Sequence, residues 1–241
     1  MAMWKADVLL EGTWRGASSV LLTDGSEPIL VDTGMPHDAP RLLAALAARG
    51  VAPSDIRCII NTHFHLDHVS NNFLFPNSVI YATQQSHDWC ISLYGALSQE
   101  ADWKKRALEY YPETYDYSDA GELMDKLRKI ALRWWDVKRI GSRSQFRWIE
   151  RHSLPGNIEP LLTSGHVPGH ASLLVRNHER TTVVAGDALL TRTYDEGVLT
   201  MIPYCRNQYL ADRAKILSCS GTIIPGHDQP FQNFPDAAQA D

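Results

Sequence analysis

Residues 61–72 read NTHFHLDHVSNN, and they follow the apolar triplet CII at 58–60 without a spacer. Any fold that accepts this chain must therefore hold His63, His65, Asp67 and His68 together where a buried strand ends. In α/β architectures ligands and reactive groups gather outside the C-terminal ends of strands. The bland alternative is a surface loop rich in histidine. The chain has ten histidines in 241 residues, so three histidines and an aspartate within six positions favour a metal over coincidence. That loop alone does not name a reaction, and the remaining ligands must come from elsewhere in the chain.

The surrounding pattern is that of an α/β protein. Short apolar runs at 6–10, 18–23 and 28–32, separated by EGTWRG and TDGSEP, predict antiparallel strands. VDTGMPHDAP then leads into a helix, APRLLAALAARG, with Leu42, Leu43 and Leu46 near helical spacing and Gly50 at its close. DIRCII is the strand that delivers the histidine loop. From residue 83 to 113, and again from 118 to 136, the pattern is helical, the second stretch placing Leu123, Leu127, Ile130, Ala131 and Trp134 on one face. Strands return at QFRWIE, IEPLLTSG, ASLLVRN and TTVVAGD, followed by a helix over QYLADRAKILSCSG and a last strand, TIIPGH. The length fits one domain over 1–241, with a helical insertion at about 84–141.

Composition narrows the class further. Hydrophobic residues at 44% and charged residues at 21% are those of an ordinary globular protein, and a net charge of -5 argues against a nucleic-acid partner. The four cysteines (Cys58, Cys90, Cys205 and Cys219) form no C-x-x-C pair and read as reduced thiols. The N-terminal apolar run is too short for a signal peptide and no stretch approaches a membrane span, so a cytoplasmic location and no membrane partner are expected.

Three further candidates stand just past strand-like runs: His166 in TSGHVPGHAS, Asp187 in TVVAGDALL and His227 in TIIPGHDQP. A lone histidine in a turn is more often structural than a ligand. Three such positions beside an H-x-H-x-D-H loop reverse that expectation. Taken in order, THFHLDH, GHVPGH, VVAGDA and IIPGH resemble the metallo-β-lactamase superfamily, and ILVDTG resembles its early motif. VIYATQQSHDWC is also similar to a stretch in a small animal member of that superfamily.

The resemblance implies an αββα sandwich with a metal site along one edge, between two sheets. It assigns His63, His65 and His166 to a first metal, Asp67, His68 and His227 to a second, and Asp187 to a bridge between them. Asp32 and His170 would support the ligands from behind. The chemistry agrees: imidazoles and carboxylates suit two zinc ions, and the mixed set would accept manganese or iron. A hydroxide held between the metals would attack a carbonyl, with Asp67 and Asp187 as the catalytic carboxylates. The expected reaction is hydrolysis of a small ester, lactone or thioester. A phosphodiesterase or ribonuclease of the same fold, and a mononuclear iron persulfide dioxygenase, remain alternatives. Related lactonases often carry a tyrosine three places after the bridging aspartate; that place is Leu190 here, and the nearest tyrosine is Tyr194.

The insertion is rich in aromatics, including Trp89, Trp103, Trp134, Trp135, Tyr94, Tyr110, Tyr111, Tyr115 and Tyr117. They suit either packing against the sandwich, a homodimer face, or the wall of a pocket for a small-molecule substrate. Basic residues from Lys126 to Arg147 read first as a solvated helix face. One or two arginines turned inward would instead fix an anionic group, and Arg192 and Arg206 are equally placed to do so.

Overall fold

The computed structural model describes residues 3–113, 120–156, 158–177, 180–193 and 203–235. Strands β1 (Lys5–Leu10), β2 (Ser19–Thr23), β3 (Ile29–Val31), β4 (Cys58–Ile60), β5 (Val79–Ala82) and β6 (Phe146–Trp148) form one sheet in sequence order. The pairs from β1 to β3 are antiparallel, as expected, and those from β3 to β6 are parallel. Strands β7 (Ile158–Leu162), β8 (Ala171–Asn177), β9 (Arg180–Gly186), β10 (Gly221–Pro225) and β11 (Phe231–Asn233) form a second sheet, ordered β11-β10-β9-β8-β7. There β9 and β10 run parallel.

The continuous apolar runs are buried on both faces, and their two-residue alternation builds the layers. Val20 and Leu22 of β2, Ile29 and Val31 of β3, and Ile60 of β4 face Leu173, Val175, Val184 and Ile224 of the second sheet. The intervening residues Leu21, Leu30 and Ile59 turn the other way. They pack under helices α1 (Ala39–Ala47), α3 (Gln84–Leu97) and α5 (Ala120–Trp134) through Leu42, Leu46, Leu93, Leu97, Met124 and Ala131. On the far side Leu174, Val183, Ala185 and Ile223 meet Ile216 of α6 (Arg206–Leu217). The order is helices, sheet, sheet, helix, which is the αββα sandwich.

Three details differ from the sequence reading. The helical pattern after residue 83 is broken into α3 and α4 (Trp103–Leu108), and Asp102 at φ 53° supplies the left-handed residue that breaks it. On α5 the inward residues are Met124 and Ala131, followed by Trp135, whereas Ile130 and Trp134 are exposed at 44% and 37%. The apolar stripe is thus rotated from the face expected, since Leu123 and Leu127 are only partly buried. TIIPGH is not the last strand, because β11 follows it and pairs antiparallel with β10.

No helix among the described residues is long and apolar enough to cross a membrane. The strand ends that matter sit on one edge: β4, β9 and β10 each finish there, and the next residues carry the histidines and aspartates. Leu30, fully buried between β2 and β4, tests the layer under the helices. Leu30→Ala should cost about 2–5 kcal/mol, read as a lower urea midpoint with an unchanged slope.

Candidate metal centre

The H-x-H-x-D-H loop works by a change of period. His63 and His65 leave β4 in extended backbone, where residues two apart point the same way. At His65 the chain enters α2 (Leu66–Val69), a single turn that swings Asp67 and His68 to a neighbouring position. His166 lies between β7 and β8, Asp187 follows β9 directly, and His227 follows β10 by two residues.

These seven side chains converge as two groups. In one, His65 Nδ1 lies 3.0 Å from both His63 Nε2 and His166 Nε2. Asp187 Oδ2 stands 3.2 Å from His166 Nε2 and 3.9 Å from His63 Nε2. In the other, His227 Nε2 is 3.3 Å from Asp67 Oδ2, and His68 Nε2 is 4.0 Å from Asp67 Oδ1. The second oxygen of Asp187, Oδ1, sits 3.2 Å from His68 Nε2 and 3.4 Å from His227 Nε2. Ligand atoms around a tetrahedral ion with bonds of about 2.0–2.1 Å stand about 3.3 Å apart, so the spacings suit a small cation. Each group could hold a metal ion.

A second observation fits the metal. His68 Nε2 and Asp187 Oδ1 are both sealed from solvent and, although 3.2 Å apart, make no aligned hydrogen bond. Two buried polar atoms left facing each other cost free energy that a shared cation would recover.

Behind the ligands runs a set of hydrogen bonds that fixes their orientation. Asp32, held at φ 55° just after β3, places Oδ2 2.7 Å from His68 Nδ1. The same carboxylate accepts the Thr62 hydroxyl at 2.7 Å and the Thr62 amide at 2.9 Å. His68 thus donates through Nδ1 and keeps Nε2 for the site. His227 does the same by donating Nδ1–H to the Thr13 carbonyl at 2.7 Å. His170 is turned away from the ligand groups: its Nε2 accepts the Asp187 amide at 3.0 Å and its Nδ1 lies 2.8 Å from Thr163 Oγ1. It therefore anchors the backbone of Asp187.

Two contributors gave no sequence signal. Thr62 and Thr163 are ordinary threonines until the fold brings Asp32 and His170 to them. Tyr111, buried in the segment after α4, sets its hydroxyl 3.4 Å from His65 Nε2. Gly226, inside the IIPGH motif, is there for space, because a Cβ on it would fall 2.2 Å from Asp187 Oδ1. Tyr194, Tyr115 and Tyr117 lie outside the described residues.

Electrostatics divides the histidines. Burial pushes His63 and His166 well below the ordinary imidazole value and His65 down to about 4, so these rings are neutral. Burial likewise takes His170 down to about 3. Burial opposes the charge on His227 too, but Asp187 and Asp67 outweigh it and lift the ring to about 9. At His68 burial is again outweighed, by Asp187, Asp32 and Asp67, and the pKa stands well above its ordinary value. Asp187 is the counterpart: burial would raise it, yet His227, His68 and His166 hold it well below the carboxylate range.

Comparison with known proteins places this geometry. Residues 12–227 match the family described as the Metallo-beta-lactamase superfamily. Metallo-beta-lactamase domain-containing protein 1 of Rattus norvegicus is 45% identical over 228 residues, covering 93% of this chain and 71% of that one. The Homo sapiens protein of that name is 27% identical over 229 residues, again over 93% of this chain, which spans 66% of the human protein's length. The similarity seen locally in VIYATQQSHDWC thus extends along almost the whole chain. Among solved structures, AidC, a dizinc quorum-quenching lactonase in complex with a product N-hexanoyl-L-homoserine, superposes with a TM-score of 0.61 at 20% identity, covering 92% of this chain and 76% of that one. With this fold, the paired His/Asp groups indicate divalent metal ions.

The raised His227 gives a pH signature. In the metal-free protein its pairing favours the fold most below the ordinary 6.5, and that contribution fades as pH rises through about 9. Metal uptake runs the other way, because a ligating imidazole must be unprotonated. Uptake of zinc at pH 7 should therefore release protons, and affinity should climb up to about pH 9. Titration calorimetry in two buffers of different ionisation enthalpy counts those protons.

Proposed function

Since the chain belongs to the metallo-β-lactamase superfamily, we propose that it is a binuclear metal-dependent hydrolase acting on the carbonyl of a small ester, lactone or thioester. The observation that carries this reading is the division of Asp187. One of its oxygens faces His63 and His166 while the other faces His68 and His227. A carboxylate so placed could serve two ions at once, which a site for a single ion would not need. The second group, Asp67 with His68 and His227, is complete as well.

Two divalent cations, zinc in this reading with manganese or iron compatible, would lower the pKa of a shared water to about 7 and polarise the scissile carbonyl. The chain's own residues do the rest. His63, His65 and His166 are neutral by burial and present lone pairs without first losing a proton. Asp67 is the more open of the two carboxylates, at 18% side-chain exposure against 6% for Asp187. One of its oxygens lies toward His227 and the other 4.0 Å from His68 Nε2, so it can orient a nucleophilic water and take its proton. Trp89, Trp135 and Tyr111 stand around His65, with ring centroids at 6.1 and 6.3 Å for the two indoles. They limit water at that side and offer an apolar wall to an acyl group. The solved AidC structure, a lactonase of the same fold with an acyl-homoserine product, supports the choice of ester-like substrates.

The basic run of the insertion does not favour the phosphodiesterase alternative. Arg128 spends its guanidinium on the Leu97 and Gln99 carbonyls, Arg147 bonds the Ser144 and Phe146 carbonyls, and Lys126 pairs with Glu122.

Three measurements test the proposal. Plasma mass spectrometry on protein purified without chelator should find about two zinc or manganese ions per chain; a single iron, with oxygen consumed in the presence of persulfides, would replace the hydrolase with the oxygenase. Asp187→Asn and His63→Ala should each abolish turnover of an ester and lactone panel while far-ultraviolet circular dichroism stays native. Asp32→Ala should weaken metal binding about 10- to 100-fold, read by chelator competition.

A further inference from the structure

Behind the aromatic wall of the metal centre lies a second concavity, a groove of about 460 Å³ between the end of α5 and the end of α2. Its lining includes Ser70, Tyr94, Trp134, Trp135, Arg133 and Arg139. Trp135 belongs to both places, since it lines the groove and stands edge-on to the His65 ring.

The chemistry of this lining is one-sided. Arg133 carries its guanidinium 4.7 Å from the centre of the Trp134 ring, and Arg139 carries its own 3.5 Å from the centre of Phe73. Neither guanidinium makes an ion pair or hydrogen bond among the described residues, whereas Arg41, Arg128, Arg147, Arg151 and Arg176 all do. The indole Nε1–H of Trp135, 3% exposed, also lacks an acceptor among the described residues. A buried N–H left unpaired is a cost that proteins rarely leave standing. Asp136 is the one acid of the lining, and its Oδ1 is engaged by the Lys138 amide. The groove therefore combines aromatic walls and two cations parked on rings. Stacking on a ring restricts a guanidinium without using its hydrogen-bonding edge, so both arginines remain free to take an anion.

We propose that this groove binds an amphipathic carboxylate, its apolar body against Tyr94, Trp134 and Trp135 and its anionic group on the guanidiniums of Arg133 and Arg139. The carboxylate belongs either to the far end of the hydrolysed substrate or to a separate small acid. The first source rests on the hydrolase reading; the binding site itself does not.

The test uses the metal-loaded protein and the double variant Arg133→Ala/Arg139→Ala, which removes no internal hydrogen bond and is checked for native thermal unfolding. The probes are 2-naphthoate and its neutral amide, each titrated against tryptophan fluorescence. Wild type should bind naphthoate about 5- to 10-fold more tightly than the amide, and in the variant that ratio should fall toward one. Equal affinities for the two probes in wild type, or a ratio that survives in the variant, would overturn the site; the latter would mean that the carboxylate sits on the metals. The source is read from kcat/KM for mono-p-nitrophenyl glutarate against p-nitrophenyl butyrate. A preference for the charged ester that collapses in the variant assigns the groove to substrate. Equal ratios in both proteins, with naphthoate binding still dependent on the arginines, assign it to a separate acid. If wild type cleaves neither ester, the hydrolase reading suffers and the naphthoate titration still decides the groove.

Discussion

A charged carboxylate with almost no access to water is the constraint on which this edge of the molecule is built. Asp187 is 4% exposed, and an ion buried to that degree without partners would cost several kcal/mol. His68, His166 and His227 gather around it, and burial of those rings would itself be unfavourable without the carboxylate. The backbone follows the same demand. His170 takes the amide of Asp187, and Gly226 leaves the volume that the carboxylate occupies. The next strand end, the next glycine and two loops are thus dictated by one charge.

The topology explains how the partners reach it. Strand β4 in the first sheet and β9 and β10 in the second end at the same edge, so loops from both layers meet across the sandwich seam. Asp32 carries the linkage into the first sheet, since it holds Thr62 and His68 at once. Its positive φ is backbone strain of order 1–3 kcal/mol, tolerated where neighbouring contacts over-determine the position. The Thr163–Ser172–Ala185 chain of hydrogen bonds extends the support under His170 into the second sheet. Each sheet braces one side of the site from behind.

The candidate ligands His63, His65, Asp67 and His68 stood out because H-x-H-x-D-H after an apolar strand has few other uses, while His166, Asp187 and His227 stood out by their place after strand-like runs. Asp32 and His170 were reachable only through the resemblance of their motifs. Thr62 and Thr163 were not legible, and Tyr111 only as one aromatic among several, because a hydroxyl acquires meaning from what the tertiary fold sets beside it. The strands could be read from short apolar runs, and their arrangement in layers came from the resemblance. The three-residue β11 could not, having too little sequence to show a period. The rotated face of α5 has a similar cause. Ile130 and Trp134 fit a helical stripe as well as Met124 and Ala131 do, and only the position of the sheet chooses between them.

The helical stretch between β5 and β6 deserves weight as more than a cover. Its buried residues Leu93, Leu97, Met124 and Ala131 belong to the same cluster as Leu30 and Ile59, so it is fastened to the first sheet by continuous packing. A densely packed interior transmits small displacements. Trp89, Tyr111 and Trp135, carried by this stretch, surround His65, which is backed by a 3.4 Å contact to Tyr111, against 2.7 Å carboxylate and carbonyl bonds behind His68 and His227. A change in this stretch can therefore alter the apolar wall and the orientation of one ligand together. By contrast, the Asp187 side of the site is locked by both sheets. On the proposed hydrolase reading, a change in the segment between β5 and β6 would act on the substrate wall, and a change at the strand ends would act on the chemistry.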